Sequence, residues 1–165
     1  MFKCNLSPDE IEKCNWLAEL KTAECAEGKM KHKRVGNRSK PDTFSNHLQG
    51  ALGEQALAKF LGVEYGFTPY DRANYDVAGY EVRATRRFNG RLLTHNDDKP
   101  ALYVLAIIEA DNIIRLQGWR HLKELNTINH WDKSLPYPCY ATAQTELWPM
   151  DMLPATALYL CAKTG

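Results

Sequence analysis

The chain has 165 residues, of which 44% are hydrophobic and 25% are charged, and its formal net charge is +1. This length and composition predict one soluble globular domain with a buried core and leave little room for a second domain. A nearly neutral total can hide local asymmetry, and here it does. Residues 29–40 contain six Lys or Arg and no acid.

The cysteines and apolar segments predict a cytoplasmic protein without a membrane partner. The five cysteines are scattered and include no Cys-x-x-Cys pair, so neither a disulfide framework nor a zinc knuckle is indicated. The N-terminal residues lack an apolar signal region, and the longest apolar run, residues 101–108, is too short to span a bilayer.

Two helices are predicted in the N-terminal third of the chain. Ser7 as N-cap, Pro8 at the first helical position and Glu10 three residues after the cap predict a helix that ends near Gly28. A second helix is predicted over residues 45–61, where apolar side chains recur at four-residue steps.

From about residue 63 the pattern changes to short, alternating, aromatic-rich runs, which predict a twisted sheet. Residues 101–108 form an apolar run typical of a central strand that is covered on both faces. Asn89-Gly90 and Asp111-Asn112 predict tight hairpin turns. The expected strands are 75–77, 80–88, 91–95, 101–109 and 113–119, followed by a helix over 120–126, an irregular segment and a short element around 155–160.

A short segment after the second helix predicts two acids and a cation close together. If Ala78-Gly79 forms a two-residue turn, Asp76 lies opposite Glu81 on the paired strand. Glu81 and Arg83 then share one face of their strand, because side chains alternate. Like charges directly opposite each other are destabilising, so a divalent cation is the expected compensation.

A third carboxylate, Glu54, directly follows Gly53 in the second predicted helix, at the border of its apolar face. Taken alone, Glu54 is better explained as a solvated helix residue. Together, the helix with Gly-Glu, the Asp, the Glu-x-Arg step and the apolar strand resemble the PD-(D/E)XK nuclease superfamily. The resemblance covers about residues 45–109. It implies an α/β (α+β) fold with a restriction-endonuclease-like central mixed sheet flanked by helices, with two N-terminal helices preceding the sheet.

The resemblance further implies a metal-dependent nuclease that hydrolyses phosphodiester bonds of DNA with Mg²⁺ or Mn²⁺. Matched by position, Glu54, Asp76 and Glu81 are the implied carboxylate ligands, and the backbone carbonyl of Val82 is a further ligand. A metal-bound water of lowered pKa would attack the phosphorus. The small size resembles nucleases of phage or mobile elements, which would place the protein in the host cytoplasm.

Arg83 stands where the superfamily usually has lysine. Arginine stays protonated in proteins, so Arg83 is a poor general base, but it suits phosphate binding or stabilisation of charge in the transition state. Two alternatives therefore stay open: a catalytically inactive nucleic-acid-binding protein on the same fold, or a small interaction or inhibitor protein with merely exposed acids. The polar residues His95, Asp97 and Asp98 are interpreted as a loop rather than as part of the metal site.

Basic and polar residues in two segments are candidates for nucleic-acid contacts, with a solvated surface as the competing explanation. They are Lys29, Lys31, Lys33, Arg34, Arg38, Lys40, Thr85, Arg86, Arg87 and Arg91. The domain is expected to comprise an N-terminal helix and basic loop (1–44), a motif-bearing core (45–120) and a C-terminal extension (121–165). The sequence leaves the oligomeric state open, with a homodimer among the options.

Overall fold

The computed structural model describes residues 1–27, 40–66 and 76–154, and for residues 40–42 it describes the backbone alone. Its helices and strands form a mixed α+β architecture. In chain order these are β1 (Phe2–Asn5), α1 (Pro8–Ala26), α2 (Lys40–Leu61), β2 (Tyr80–Thr85), β3 (Leu92–Thr94), β4 (Leu102–Ala110), β5 (Ile113–His121), α3 (Leu122–Leu125), β6 (Trp131–Asp132) and β7 (Cys139–Thr142). Short 3-10 helices follow α3 and β7.

Both predicted N-terminal helices are present. The capping box of α1 is formed: the Ser7 N–H donates to Glu10 Oε2 at 2.6 Å, and the Glu10 N–H donates to Ser7 Oγ at 3.2 Å. The second helix, α2, begins at Lys40 and not near Ser45 as predicted. Pro41 lies in its first turn, where the missing N–H of proline is tolerated.

The main sheet has the strand order β1-β5-β4-β2 and is mixed, because β2 runs parallel to β4 while the other pairs are antiparallel. The predicted β4–β5 hairpin at Asp111-Asn112 is confirmed, and β4 is buried on both faces over most of its length. The expectation that both helices precede the sheet is wrong. The unpredicted strand β1 comes before α1 and pairs with β5 at one edge.

The predicted hairpin at Asn89-Gly90 is wrong. β2 ends at Thr85, and the chain then crosses to a separate three-stranded sheet of order β3-β7-β6. Gly90 has no positive φ; its N–H donates to the Arg87 carbonyl at 2.9 Å, and a Cβ at Gly90 would lie 2.4 Å from Thr85 Cγ2. Glycine is needed here for close approach and not for a type I′ turn. The C-terminal segment, expected to be irregular after the 120–126 helix, supplies two strands of this sheet.

Helix α2 packs directly on the main sheet at Gly53. A Cβ at this position would lie 3.1 Å from Val82 Cγ1, 3.1 Å from Ala84 Cβ and 3.2 Å from Ala106 Cβ. The absent side chain therefore lets the helix backbone approach β2 and β4 closely. This contact fixes the position of Glu54, the next residue, relative to the start of β2.

Several predictions fall partly or wholly outside the description. Residue 75 of the first predicted strand, the basic residues 29–39 and the element around 155–160 lie beyond the described segments. Within those segments, no helix is long and apolar enough to cross a membrane. Four of the five cysteines are described, and all four are free thiols.

Candidate functional site

The predicted two-residue turn at Ala78-Gly79 is present and leads into β2. Ala78 and Gly79 have φ angles of 47° and 91°. On either side of them, Val77 and Tyr80 exchange two backbone hydrogen bonds of 3.2 and 2.8 Å. The strand predicted over 75–77 is reduced to this single bridge within the described residues.

Asp76 lies at the open edge of β2. Its Oδ2 accepts a hydrogen bond of 2.9 Å from the Val82 backbone N–H. After the Tyr80 N–H, which bonds to Val77, the next N–H on this edge of β2 is therefore bonded to a side chain and not to a strand. The expected strand pair of Asp76 with Glu81 is therefore not formed in the described part of the chain. The N–H and C=O of one strand residue point to the same side, so the Val82 carbonyl faces the same edge as Asp76.

Glu81 and Arg83 share one face of β2, as predicted, while Val82 packs against α2 on the other face. The Glu81 residue is only 5% exposed. Its Oε1 lies 2.9 Å from Lys99 Nζ, and its Oε2 lies 3.7 Å from Arg83 Nη1. Burial, followed by the negative charge of Asp76, raises the pKa of Glu81 despite these two cations.

The Arg83 guanidinium contacts one residue that precedes β4 and one residue of β4 itself. Its Nη2 lies 3.3 Å from Asp98 Oδ2, and its guanidinium carbon lies 4.9 Å from the centre of the Tyr103 ring. Its Nη1 also donates to the Val82 carbonyl at 3.4 Å. Burial lowers the pKa of Arg83, but the charge of Asp98 and of the neighbouring acids holds it above the usual value. Arg83 is therefore a fixed cation.

Glu54 reaches the same region from α2. The Tyr65 hydroxyl donates a short hydrogen bond to Glu54 Oε2. Burial and then the negative charge of Asp76 raise the pKa of Glu54 to about 7, whereas Lys21 and the Tyr65 hydrogen bond lower it. The charge of Glu81 adds a smaller increase. The three predicted carboxylates thus interact electrostatically around the start of β2.

Glu54 predicts a specific dependence of stability on pH. In the unfolded chain a Glu carboxyl titrates near 4.3, well below the folded value of about 7. Between these pH values the folded protein binds more protons, so the free energy of unfolding falls as the pH rises. In metal-free buffer, we expect Glu54→Gln to gain up to about 3 kcal/mol over wild type near pH 8, and only about 1 kcal/mol near pH 5, in urea unfolding.

The amide oxygen of the introduced glutamine can still accept the Tyr65 hydrogen bond, so packing is conserved in this variant. Glu64→Gln, at an exposed position after α2, is the matched control and should show no such gain. A Glu54→Gln protein that is less stable than wild type near pH 8 would contradict the expected burial of charge.

The described carboxylates could supply only one or two of the ligands of a magnesium ion. In the described segments, no three or more His, Cys, Asp or Glu side chains are grouped so as to hold a metal, so Glu54, Asp76 and Glu81 do not form a ready three-carboxylate centre. Magnesium usually takes one or two carboxylates and keeps several waters. Asp76, Glu81 and the Val82 carbonyl offer such hard oxygen donors around the start of β2, and the charges of Asp76 and Glu81 act on Glu54 of α2.

A cavity of about 600 Å³ lies beside Arg83 and is lined by cations. Thr85, Arg87 and Arg91 of the predicted contact residues line it, and no Asp or Glu does so in the described part of the chain. Arg91 is paired with Asp132 at 2.7 Å. The exposed Arg87 guanidinium has no ion-pair partner among the described residues.

The remaining predicted nucleic-acid contacts lie elsewhere. Arg86 does not line the cavity; its Nη2 lies 2.5 Å from Asp111 Oδ1, at the β4–β5 turn. Lys40 is the first residue of α2, and nothing is described of its side chain. The others, Lys29, Lys31, Lys33, Arg34 and Arg38, lie outside the described residues.

Sequence reasoning missed Lys99 and Asp98 as partners of the site. Both lie in the segment interpreted as a polar loop, directly before β4. Because β2 and β4 are parallel, with Glu81 level with Tyr103, the residues that precede β4 lie beside the start of β2. Sequence reasoning could have found these two residues only by first predicting that β2 and β4 are parallel.

Comparisons with models of protein families, with curated proteins and with solved structures find no match to this chain. The resemblance to the PD-(D/E)XK superfamily therefore stays an expectation drawn from the motif residues of the sequence.

Proposed function

We propose that the protein is a metal-dependent nuclease of restriction-endonuclease-like architecture that hydrolyses phosphodiester bonds of DNA. The observation that carries the proposal is the set of Glu54, Asp76 and Glu81 around the start of an edge strand, where burial and then the negative charge of Asp76 raise the pKa values of Glu54 and Glu81. An acidic cluster of this kind favours a bound cation. The adjoining cation-lined cavity suits the phosphates of a substrate.

Asp76, Glu81 and the Val82 carbonyl would hold the Mg²⁺ or Mn²⁺ ion, and Glu54 would orient a water. When bound, the ion would polarise a phosphoryl oxygen and lower the pKa of a coordinated water. Glu54 has a pKa of about 7, so near neutral pH it can accept a proton from that water.

Two cations of the chain divide the work that a single lysine usually does in the superfamily. Lys99 pairs with Glu81, its Nζ lying 2.9 Å from Glu81 Oε1, and this ion pair favours one orientation of that carboxylate. Arg83 stays protonated, points along the same face and reaches both the Val82 carbonyl and the cavity. Its planar guanidinium suits two-point contact with a phosphate and stabilisation of the charge that develops there.

A second candidate function is nucleic-acid binding without catalysis. It is favoured by Arg83 itself, whose raised pKa removes it as a proton acceptor, and by the pairing of Glu81 with Lys99 and Arg83. In this alternative the two cations neutralise Glu81, and no metal is needed.

An assay of cleavage separates the two candidates. Supercoiled, linear and branched DNA are incubated with the protein in Mg²⁺, in Mn²⁺ and in EDTA, and the products are resolved on gels. We expect at least one substrate to be cleaved in Mg²⁺ or Mn²⁺ and none in EDTA, because the water nucleophile requires the ion. If every substrate stays intact in both metals while DNA is still bound, the binding function replaces the nuclease.

A further inference from the structure

The cation-lined cavity has the shape and chemistry of a site for part of a nucleic-acid strand. Its volume of about 600 Å³ lies within the usual range of sites for small organic ligands. Arg83 and Thr85 of β2 and Leu105 of β4 line it on the side of the main sheet, and residues 135–137 of the β6–β7 connection and Cys139 of β7 line the other side. The cavity is a cleft between the two sheets, and its size suits a single extended strand or a single residue of one.

The charges of the cavity indicate an anion. Three arginines and His95 line it, and the described lining contains no acid. Arg91 is held by Asp132, whose pKa is lowered to about 2, first by hydrogen bonds from Ser134 and then by Arg91. Arg87 has no such partner among the described residues and is free to contact a phosphate.

The cavity also offers an apolar and aromatic wall. Tyr137 lines the cavity and is 52% exposed. The cavity is also lined by Leu93, Leu135 and Pro136. Proteins that bind single strands combine a cationic groove with aromatic side chains on which bases stack. A base within a duplex would first have to be extruded, at a cost of a few kcal/mol.

We propose that the cavity binds one unpaired nucleotide of single-stranded DNA, with its phosphate on Arg87 and Arg91 and its base against Tyr137. The proposal deepens the nuclease function and rests on it, since it names the class of substrate. Arg83 joins the two sites, because it lines the cavity and also lies 3.7 Å from Glu81 Oε2. A strand held in the cavity therefore continues past the carboxylates.

The test measures binding in EDTA, where cleavage is blocked, by the fluorescence anisotropy of a labelled oligothymidylate and of a blunt hairpin duplex. We expect the single strand to bind roughly tenfold more tightly than the duplex. Arg87→Gln should weaken binding of the single strand by roughly tenfold and reduce the salt dependence of log K by about 0.7. Arg86→Gln is the matched control, since the neighbouring Arg86 is paired with Asp111 outside the cavity.

Tyr137 gives an independent measurement of the base contact. Tyr137→Ala should weaken single-strand binding by roughly 5- to 100-fold, whereas Tyr137→Phe should bind like wild type because stacking is kept. Trp16→Ala, at an exposed aromatic residue of α1, controls for loss of surface aromatic area. Thermal unfolding of each variant checks that the fold is intact.

Three results would overturn the inference: equal affinity for strand and duplex, equal losses in Arg87→Gln and Arg86→Gln, or an unchanged affinity in Tyr137→Ala. The nuclease function fails in a different way. If wild type cleaves no DNA but the cavity variants lose single-strand binding as expected, the cavity inference holds and the function is binding alone. If cleavage occurs and the cavity variants bind normally, only the cavity inference is wrong.

Discussion

Cleavage of DNA by Glu81→Gln and by Asp76→Asn is expected to be roughly 10³-fold slower than by wild type, or undetectable. Both changes remove a negative charge at the start of β2 while keeping an oxygen acceptor of the same shape. The amide oxygen in Asp76→Asn can still accept the Val82 N–H, and the amide in Glu81→Gln stays beside Lys99. The loss should therefore reflect metal binding and not unfolding.

Thermal unfolding with and without Mg²⁺ measures the loss of metal binding in the two variants directly. A ligand at 100 times its Kd stabilises the folded protein by about 2.7 kcal/mol, so wild type should gain stability from Mg²⁺ and the two variants should gain little. Glu64→Gln removes an exposed acid after α2 and should behave like wild type in both measurements. Full activity in both site variants would show that the acids around β2 hold no catalytic ion.

The second large effect is expected at Arg83. Arg83→Gln should lower kcat by roughly 10²- to 10³-fold, because a fixed cation beside the carboxylates is lost when charge develops on the phosphate. Arg83→Lys should recover part of this loss, since it keeps the charge but loses the planar two-point contact. Single-turnover rates measured over a range of pH provide the comparison.

The pH profile distinguishes two roles for this position. If Arg83 only stabilises charge, the profile of Arg83→Lys keeps the shape of the wild-type profile at a lower rate. A faster Arg83→Lys enzyme with a new basic limb would mean that lysine acts there as a proton acceptor. Arg120→Gln is a suitable control, because the Arg120 side chain donates to the Glu146 carbonyl and lies over the Trp148 ring, and neither group belongs to the candidate site.

Local signals in the sequence predicted the elements that depend on local chemistry. The capping box of Ser7 and Glu10, the apolar run of β4 and the turn at Asp111-Asn112 each need only neighbouring residues. The turn at Ala78-Gly79 and the shared face of Glu81 and Arg83 follow from the same kind of signal. They were sufficient to bring the candidate site together in outline.

Pairing between distant segments was not predictable in this way. β2 pairs with β4, although β3 lies between them in the chain and belongs to the other sheet. The local hairpin signal at Asn89-Gly90 gave the wrong partner, because a turn motif does not reveal which strand buries the neighbouring side chains. Strands of two to four residues, such as β1 and β6, are too short for a recognisable period. Lys99 was missed because its position beside Glu81 follows from the parallel pairing of β2 with β4, which no local signal predicts.

The hydrogen bond from Val82 to Asp76 also bears on how the protein avoids self-association. Within the described residues β2 ends the main sheet, and an uncovered edge strand is a template for pairing with a second chain. The Asp76 carboxylate occupies one of the donors that such a pairing would use and adds a charge that an incoming strand must desolvate. Asp76, a metal ligand in the proposed function, thus also opposes pairing of this edge with a second chain.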